Sequence, residues 1–594
     1  MNFGNFFAEL KRRNVFRAAA FYAASSWLLV QIATQVFPFF HIAEWIVRWI
    51  VVAAVIGFPF ALVLSWFYEW TPKGLQLESE ISPDESVIRQ TSKKLDKWII
   101  AILVVTVVLL LANQFVWHKG AAEGTTSSDQ SIAVLPLTNE GGAKDEQYFS
   151  DGLSEDLITA LSQFAGLKVI GRNSSFQFRD SKDDSKTIGA KLGVAHLLEG
   201  SVRRVADAVR ISAELINAAD GTTLWSQHYD RPYKDLFKLQ DDITTAVANA
   251  LKAKLLNTND AAAQSDRPPS GSLQAYNAFL KGNFYFQRST QDYLRKAIDS
   301  YQTAVSLDPK YAQAYAAMGS AQTFYGDYFT GAQAQQIFAV ARMSINSALT
   351  LNSDLAGAHV AHALLLAFAD LDFVGARTEF ERAVQLAPNN LDAVASLAQM
   401  HAAFGHPEAA IEPIRQTLAN DPRNAGWYGL LANDLMAVGR LDDAAQATRQ
   451  QIDLGGTEES VKSRLCTIEV LRGNAAAALE KAVQLLPGKS RDFALARARQ
   501  IGNDAAAALA TLQTLIDHYA DTDAYRIAGV YALRRDPDDM FKWLDRAWAG
   551  RENAVCVVYY DPLVLRYKDD PRFAAFCQKI GLPTPAEVAA RPKS

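Results

Sequence analysis

Cysteine is scarce in this chain: Cys466, Cys556 and Cys577 are the only three in 594 residues. Three thiols exclude a disulfide framework, and an odd number leaves at least one outside any internal bridge. Their apolar surroundings suit buried free thiols; a Cys556–Cys577 bridge that staples the C-terminal segment is the sharper reading. An excess of positive charge is also missing. Lys plus Arg number 59 against 64 Asp plus Glu, a net charge of −5, so the chain as a whole carries no electrostatic footprint for nucleic acid. The patterns that chemistry requires are absent too. There is no GxxxxGK loop followed by Ser or Thr to cradle phosphates, no GxGxxG, no HExxH and no GxSxG. His401 and His406 are five apart and so do not share a helix face; they read as surface histidines, and Asp183-Asp184 reads as a solvated loop. No catalytic, cofactor-binding or metal-ligating residue is therefore expected, and the chain reads as non-enzymatic.

What is present divides the chain. Seven of the eleven Trp precede residue 118, and so do three long apolar runs, 18–37, 45–68 and 98–117. Each is close to the ~20 residues a helix needs to cross a hydrocarbon core. Trp and Tyr sit near their ends. Lys11, Arg12, Arg13 and Arg17 precede the first run, the first loop has no Lys or Arg, and Lys73, Arg89, Lys93, Lys94 and Lys97 fill the second. This asymmetry predicts a cytoplasmic leader over 1–17, an integral membrane domain over 18–117 in the inner membrane, and everything after 117 in the periplasm. Residues 118–130 form a small, polar linker.

Residues 131–256 read as an α/β domain. SIAVLPL, starting at Ser131, suits a buried strand, and Leu153, Leu157, Ile158 and Leu161 share one helix face. In Val209 to Leu215 apolar and polar residues alternate, as in a strand with one buried face. The phrases AVLPL, FSDGLSEDLITAL, LLEGSVRR, VRISAELINAADGTTLWSQHYDR and QDDITTAVANAL together resemble the TolB amino-terminal-like domain, which often continues into tetratricopeptide (TPR) repeats. Relatives of that class carry a class III nucleotide cyclase, a winged-helix domain or a kinase in front; this chain has no unassigned stretch for a cyclase domain and its metal-binding Asp pair. The resemblance implies an envelope protein with a second protein contact in this domain.

After a linker at 257–272, residues 273–550 repeat. Gly405, Gly439 and Gly473 are each 34 apart, as are Pro388 and Pro422. A period of 34 with Gly at the inter-helix turn and Pro at the exit is the TPR pattern. The wider spacing in the second unit places an insertion around Asp327 to Ala334, and residues 551–594 read as a cap. The expected fold class is thus multidomain: three transmembrane helices, an α/β TolB-like domain and an all-α TPR superhelix. Carrying the TPR register onto the chain places Asn283, Gln287, Ser320, Phe324, Gln399 and Asn433 on the concave face as candidate partner-binding residues. Most are amides, which can clamp a partner's backbone by donating and accepting at once. The expected partners are proteins or peptides, with the membrane and without nucleic acid. The alternative reading is a transmembrane signalling receptor related to cyclase- or winged-helix-fused TPR proteins.

Overall fold

The computed structural model describes residues 130–590 apart from 142–145, 206, 253 and 256–265, together with a few residues before 130. The chain divides into two compact units, Met1–Glu123 and Gly124–Ser594. In the first, Tyr22 and Ala54 are helical, and the Tyr22 hydroxyl donates to the Ala54 carbonyl at 3.0 Å. Strands β1 (Tyr68–Thr71) and β2 (Gly74–Leu77) pair antiparallel as a hairpin.

No helix among the described residues is long and apolar enough to cross a membrane. The expected three transmembrane helices are corrected accordingly, and with them the placement of the chain: an inner-membrane domain, a cytoplasmic N-terminus and a periplasmic body are not carried further. The runs 18–37, 45–68 and 98–117 lie almost wholly outside the described residues. Length alone does not make a span. The helix Gly331–Leu351 has 21 residues, yet only one face, with Ala334, Phe338, Ala341, Ile345 and Ala348, is buried, and Gln333, Gln335 and Gln336 are exposed. The fold is an α/β domain followed by a helical TPR-like region.

The α/β domain is a mixed sheet with helices on both faces. Its elements are β3 (Ser131–Val134), β4 (Thr138–Asn139), α1 (Gln147–Leu161), β5 (Phe164–Ala165), β6 (Lys168–Val169), α2 (Arg172–Ser175), α3 (Ser185–Leu192), β7 (His196–Val205), β8 (Ala208–Asn217), β9 (Thr223–Pro232), α4 (Leu236–Ala250) and β10 (Lys254–Leu255). The strand order is β6-β3-β7-β8-β9, with β3 parallel to both neighbours and β7, β8 and β9 antiparallel. Strand β3 is buried along its length. Ile132 and Val134 enter one core with Leu153 and Leu157 of α1 and Ile243 of α4. Ala133 enters another with Ile188 and Leu192 of α3. A strand covered on both faces reads as a continuous apolar run for this reason. In β8 the buried residues Val209, Ile211, Ala213 and Leu215 alternate with more exposed ones, since its other face is wet.

Eight helix pairs follow among the described residues: α5/α6 (Leu273–Phe286, Gln291–Leu307), α7/α8 (Ala312–Gly326, Gly331–Leu351), α9/α10 (Ala356–Leu365, Phe373–Leu386), α11/α12 (Leu391–Ala403, Pro407–Asn420), α13/α14 (Ala425–Ala437, Leu441–Asp453), α15/α16 (Glu458–Leu471, Ala475–Val483), α17/α18 (Lys489–Gln500, Ala505–Tyr519) and α19/α20 (Ala524–Arg534, Pro537–Ala549). Short polar residues start many of them. Asn390, Asn424, Asn474 and Asp504 each accept a backbone N–H of the first turn, which satisfies a donor the helix cannot pair internally. Within a pair, Gly319 lets α7 approach α8, because a Cβ there would strike Ile345. The extra residues of the second unit lengthen a helix: α8 has 21 residues where α6 has 17. Beyond α20 come two 3-10 stretches, Asn553–Tyr559 and Leu565–Tyr567, and then α21 (Pro571–Lys579) and α22 (Pro585–Ala590).

The α/β domain rests on the first pair and on the turns between later ones. Tyr276 and Phe279 of α5 complete the core of α1 and α4. The Tyr233 hydroxyl donates to Asn277 at 2.8 Å, and Gln240 Nε2 donates to the Tyr276 hydroxyl at 2.9 Å. Farther along, the Gly171 N–H donates to the Asn420 carbonyl at 2.8 Å and the Ser174 N–H to Asp421 Oδ1 at 2.7 Å. Helices α1 and α5 meet at Gly152, where a Cβ would come within 2.6 Å of Leu280 Cδ1. Gly152→Val should therefore overpack this joint and cost about 1–3 kcal/mol. Calorimetry should show a lowered melting midpoint and limited proteolysis faster cutting near Arg267 to Ser272; an unchanged midpoint would show that the domain and the first repeat do not share one core.

Candidate functional site

The first helix of each pair, α5, α7, α9, α11, α13, α15, α17 and α19, forms the row that carries the expected groove residues. Asn283 is half-buried, and its Oδ1 accepts from the Tyr301 hydroxyl of the paired helix at 2.8 Å. Gln399 Nε2 donates to Asp434 Oδ2 of the next repeat at 3.0 Å. Asn433 Oδ1 accepts from Arg464 Nε of the following repeat at 3.1 Å. These three amides tie helices of the array to one another. Gln287 is exposed at the end of α5, and Ser320 is half-buried on α7. Phe324 stands in an aromatic row that register alone did not reveal. Its ring centroid is 5.9 Å from Phe286 and 5.7 Å from Phe368, so three successive repeats are joined by half-buried rings.

The row of first helices is not open along its whole length. The C-terminal segment returns across it instead of only closing its end. Arg551 donates to the Ala369 carbonyl at 2.5 Å, and Asn553 Nδ2 donates to Asp327 Oδ1 at 3.3 Å, which places the start of the segment at the second and third repeats. The stretch Asn553–Tyr559 then packs on α11. Tyr560 packs on the core formed by α11 to α15, which includes Ala395, Leu435 and Ile468. Pro562 and Leu565 face Met436, Gly439 and Leu471 across a cavity of 330 Å³. The Tyr567 hydroxyl donates to the Ala532 carbonyl of α19 at 3.0 Å, and the Glu552 carboxylate accepts the Ala524 and Tyr525 N–H groups at 2.7 and 2.9 Å. Val555, Val558 and Phe573 are fully buried. The chain itself thus covers repeats four to eight, and the segment reaches the third at Ala369 and the second at Asp327.

Asp434 sits under this segment with 0% exposure. Its Oδ2 is held by Gln399, while Oδ1 has no partner among the described residues. Burial pushes its carboxyl up to about 7 against the pull of the Gln399 hydrogen bond. All three cysteines are free thiols. Burial pushes each of them up to about 11, so they stay protonated and inert at neutral pH.

A second concavity of about 790 Å³ lies between the α/β domain and the turns after the first two repeats, with Asp156, Gln240, Asp266, Tyr311 and Gln313 in its wall. Burial and then Asp266 raise the Asp156 carboxyl, and burial and then Glu155 push Asp266 up to about 7. Arg267 at its rim is already paired with Asp241 at 2.6 Å.

Comparison with known proteins divides along the same boundaries. Residues 367–433 match the tetratricopeptide repeat family, and the C-terminal region carries TPR repeats. Residues 128–246 match the second domain of HilA/YgeH-like transcriptional regulators, and the TolB-like assignment finds no support. A Rhizobium meliloti (strain 1021) protein named "Putative adenylate cyclase 3" is 37% identical over 190 residues, 32% of this chain and 32% of that protein. The chain therefore spans about a third of that relative's length. Among solved structures, Pseudomonas aeruginosa pilF is 17% identical, with 37% of this chain and 94% of that chain covered and a TM-score of 0.29. Yeast Tom70 is 14% identical, with 52% and 68% covered and a TM-score of 0.31. Superpositions this loose carry no argument about function.

The buried Asp434 makes stability depend on pH. Its folded form holds a proton that the unfolded chain releases in the ordinary carboxylate range. Stability therefore falls as pH rises from about 4 to about 7, and the loss is complete above that. Asp434→Asn removes the titration. Relative to the native chain the variant should gain on the order of 2 kcal/mol between pH 5 and pH 8, read from urea unfolding at both values; parallel pH profiles would place the raised carboxyl elsewhere.

Proposed function

We propose that this chain is a non-enzymatic scaffold that holds protein partners on its TPR array, with the α/β domain as a second contact. The observation that carries this reading is the aromatic row Phe286, Phe324 and Phe368, which joins the first helices of three successive repeats at their C-terminal ends, where helices of this kind line a TPR groove. Helix-lined grooves suit extended or helical peptides. In support, the amides Asn283, Gln399 and Asn433 are engaged in holding helices of the array together, whereas Gln287 is exposed and Phe324 half-buried on the row. A second reading, a signal-receiving module, is favoured by the match of the α/β domain to a transcriptional-regulator family and by the stretch shared with a protein named as a cyclase.

A photo-crosslinking residue at Gln287, exposed at the mouth of the row, should capture a discrete set of proteins in intact cells, while the same residue at Leu509, exposed on α18, should not. Equal or absent capture at the two positions would overturn the scaffold reading. Cyclic nucleotide formed from ATP by the purified chain would overturn its non-enzymatic part.

A further inference from the structure

The first repeat carries an excess of positive charge around the turn between its two helices. From Leu273 to Leu307 the first repeat has Lys281, Arg288, Arg295 and Lys296 against the acids Asp292 and Asp299, in a protein whose net charge is −5. All four cations are exposed, and none has an ion-pair partner among the described residues. Three of them, Lys281, Arg288 and Lys296, lie against aromatic rings. Tyr285 and Tyr293 stack at 6.0 Å across the α5/α6 hairpin. Lys296 Nζ lies 5.0 Å from the Tyr293 ring and Lys281 Nζ 6.0 Å from the Tyr285 ring. The Arg288 guanidinium lies 3.8 Å over Phe284 and 5.3 Å from Tyr293. A ring quadrupole offsets only part of the repulsion among like charges at an exposed site; a ligand carrying carboxylates would offset the rest.

The neighbouring surface states what else that ligand carries. Arg288 is two residues beyond Phe286, where the aromatic row begins, and the Tyr328 hydroxyl joins the two repeats by donating to the Ser289 carbonyl at 3.0 Å. At its far end, beside Phe368, the row meets Arg551 on the Ala369 carbonyl. From there the chain's own 3-10 stretch Asn553–Tyr559 packs on the row of first helices with Ala, Val, Cys and Tyr side chains. The same track therefore already accepts apolar side chains along repeats three to eight.

We infer that the first three repeats dock an acidic segment of a protein partner, its carboxylates on Lys281, Arg288 and Lys296 and its apolar side chains on Phe286, Phe324 and Phe368, continuing the path of the chain's own C-terminal segment. This rests on the scaffold reading and names the partner's chemistry. Nucleic acid is the lesser fit, because the Tyr285 and Tyr293 rings are engaged by each other and by Lys281, Arg288 and Lys296.

The test uses the full chain and a short dye-labelled peptide in which a run of glutamates precedes alternating leucine and phenylalanine. Anisotropy should show saturable binding that weakens with added salt. The double variant Lys281→Glu, Lys296→Glu should weaken it by about tenfold or more, and Phe324→Ala should weaken it with little change in salt dependence. Lys542→Glu, an exposed cation on α20, should leave it unchanged, and circular dichroism melts should show all variants folded. Equal binding of a lysine-for-glutamate peptide, indifference to the charge reversal, or preferred binding of single-stranded oligothymidylate would each overturn the inference. If the cellular crosslinks at Gln287 persist undiminished in the charge-reversed variant, this surface is wrong while the scaffold reading stands. If the native chain captures nothing, the scaffold reading fails, and the peptide titration still reads the surface by itself.

Discussion

A pair of helices from one repeat cannot bury its own apolar face, so each pair must lean on the next. Small residues at the contacts set how closely they lean. Gly319 leaves room for Ile345 on the paired helix, and fully buried alanines such as Ala314, Ala358, Ala398 and Ala432 recur on successive first helices. Because the same helix of every pair faces inward, one row of first helices runs the length of the array. Whatever the protein contacts through its repeats, it contacts through that row or through the turns beside it.

Both surfaces are partly used within the chain. The turns carry the α/β domain: Asp421, at the exit of the fourth repeat, accepts from Ser174, and the Arg423 N–H donates to Ser174 Oγ at 2.7 Å. The row carries the C-terminal segment from Arg551 onward, which buries Val555 and Val558 completely and encloses Asp434. A carboxyl with one unpartnered oxygen under an apolar cover is a standing cost. The protein tolerates it by keeping the proton, aided by the single hydrogen bond from Gln399. The segment's contacts thin out toward the second repeat, and the first repeat carries half-buried rings beside exposed cations.

The local features could be read from residues alone. The period of 34 set the repeats, the alternation in Val209 to Leu215 set β8, and the phrase SIAVLPL marked a strand buried on both faces. Each signal lies within one helix pair or one strand, where spacing decides which side chains share a face. The register named Phe324 as a single position, and the rings of Phe286 and Phe368 on either side of it come from neighbouring repeats that spacing within one unit does not relate. The membrane spans drawn from apolar runs are the counter-example. Run length and flanking charge speak to how a segment would sit in lipid, and no helix able to cross a membrane is found among the described residues.

The sequence by itself determined the unit of construction: which residues form strands and helix pairs, where helices start and turn, and which positions must be small, because all of these follow from contacts within about one repeat. Only the tertiary structure decided what each surface is used for. It turned Asn283, Gln399 and Asn433 into internal ties, drew Ser174 to Asp421 across 247 residues, laid residues 551–567 along the repeats, and gathered Lys281, Arg288 and Lys296 around two stacked tyrosines. The reason is separation along the chain. These contacts join segments that no period relates, so nothing in the order of residues announces them until the array has curved and brought them together.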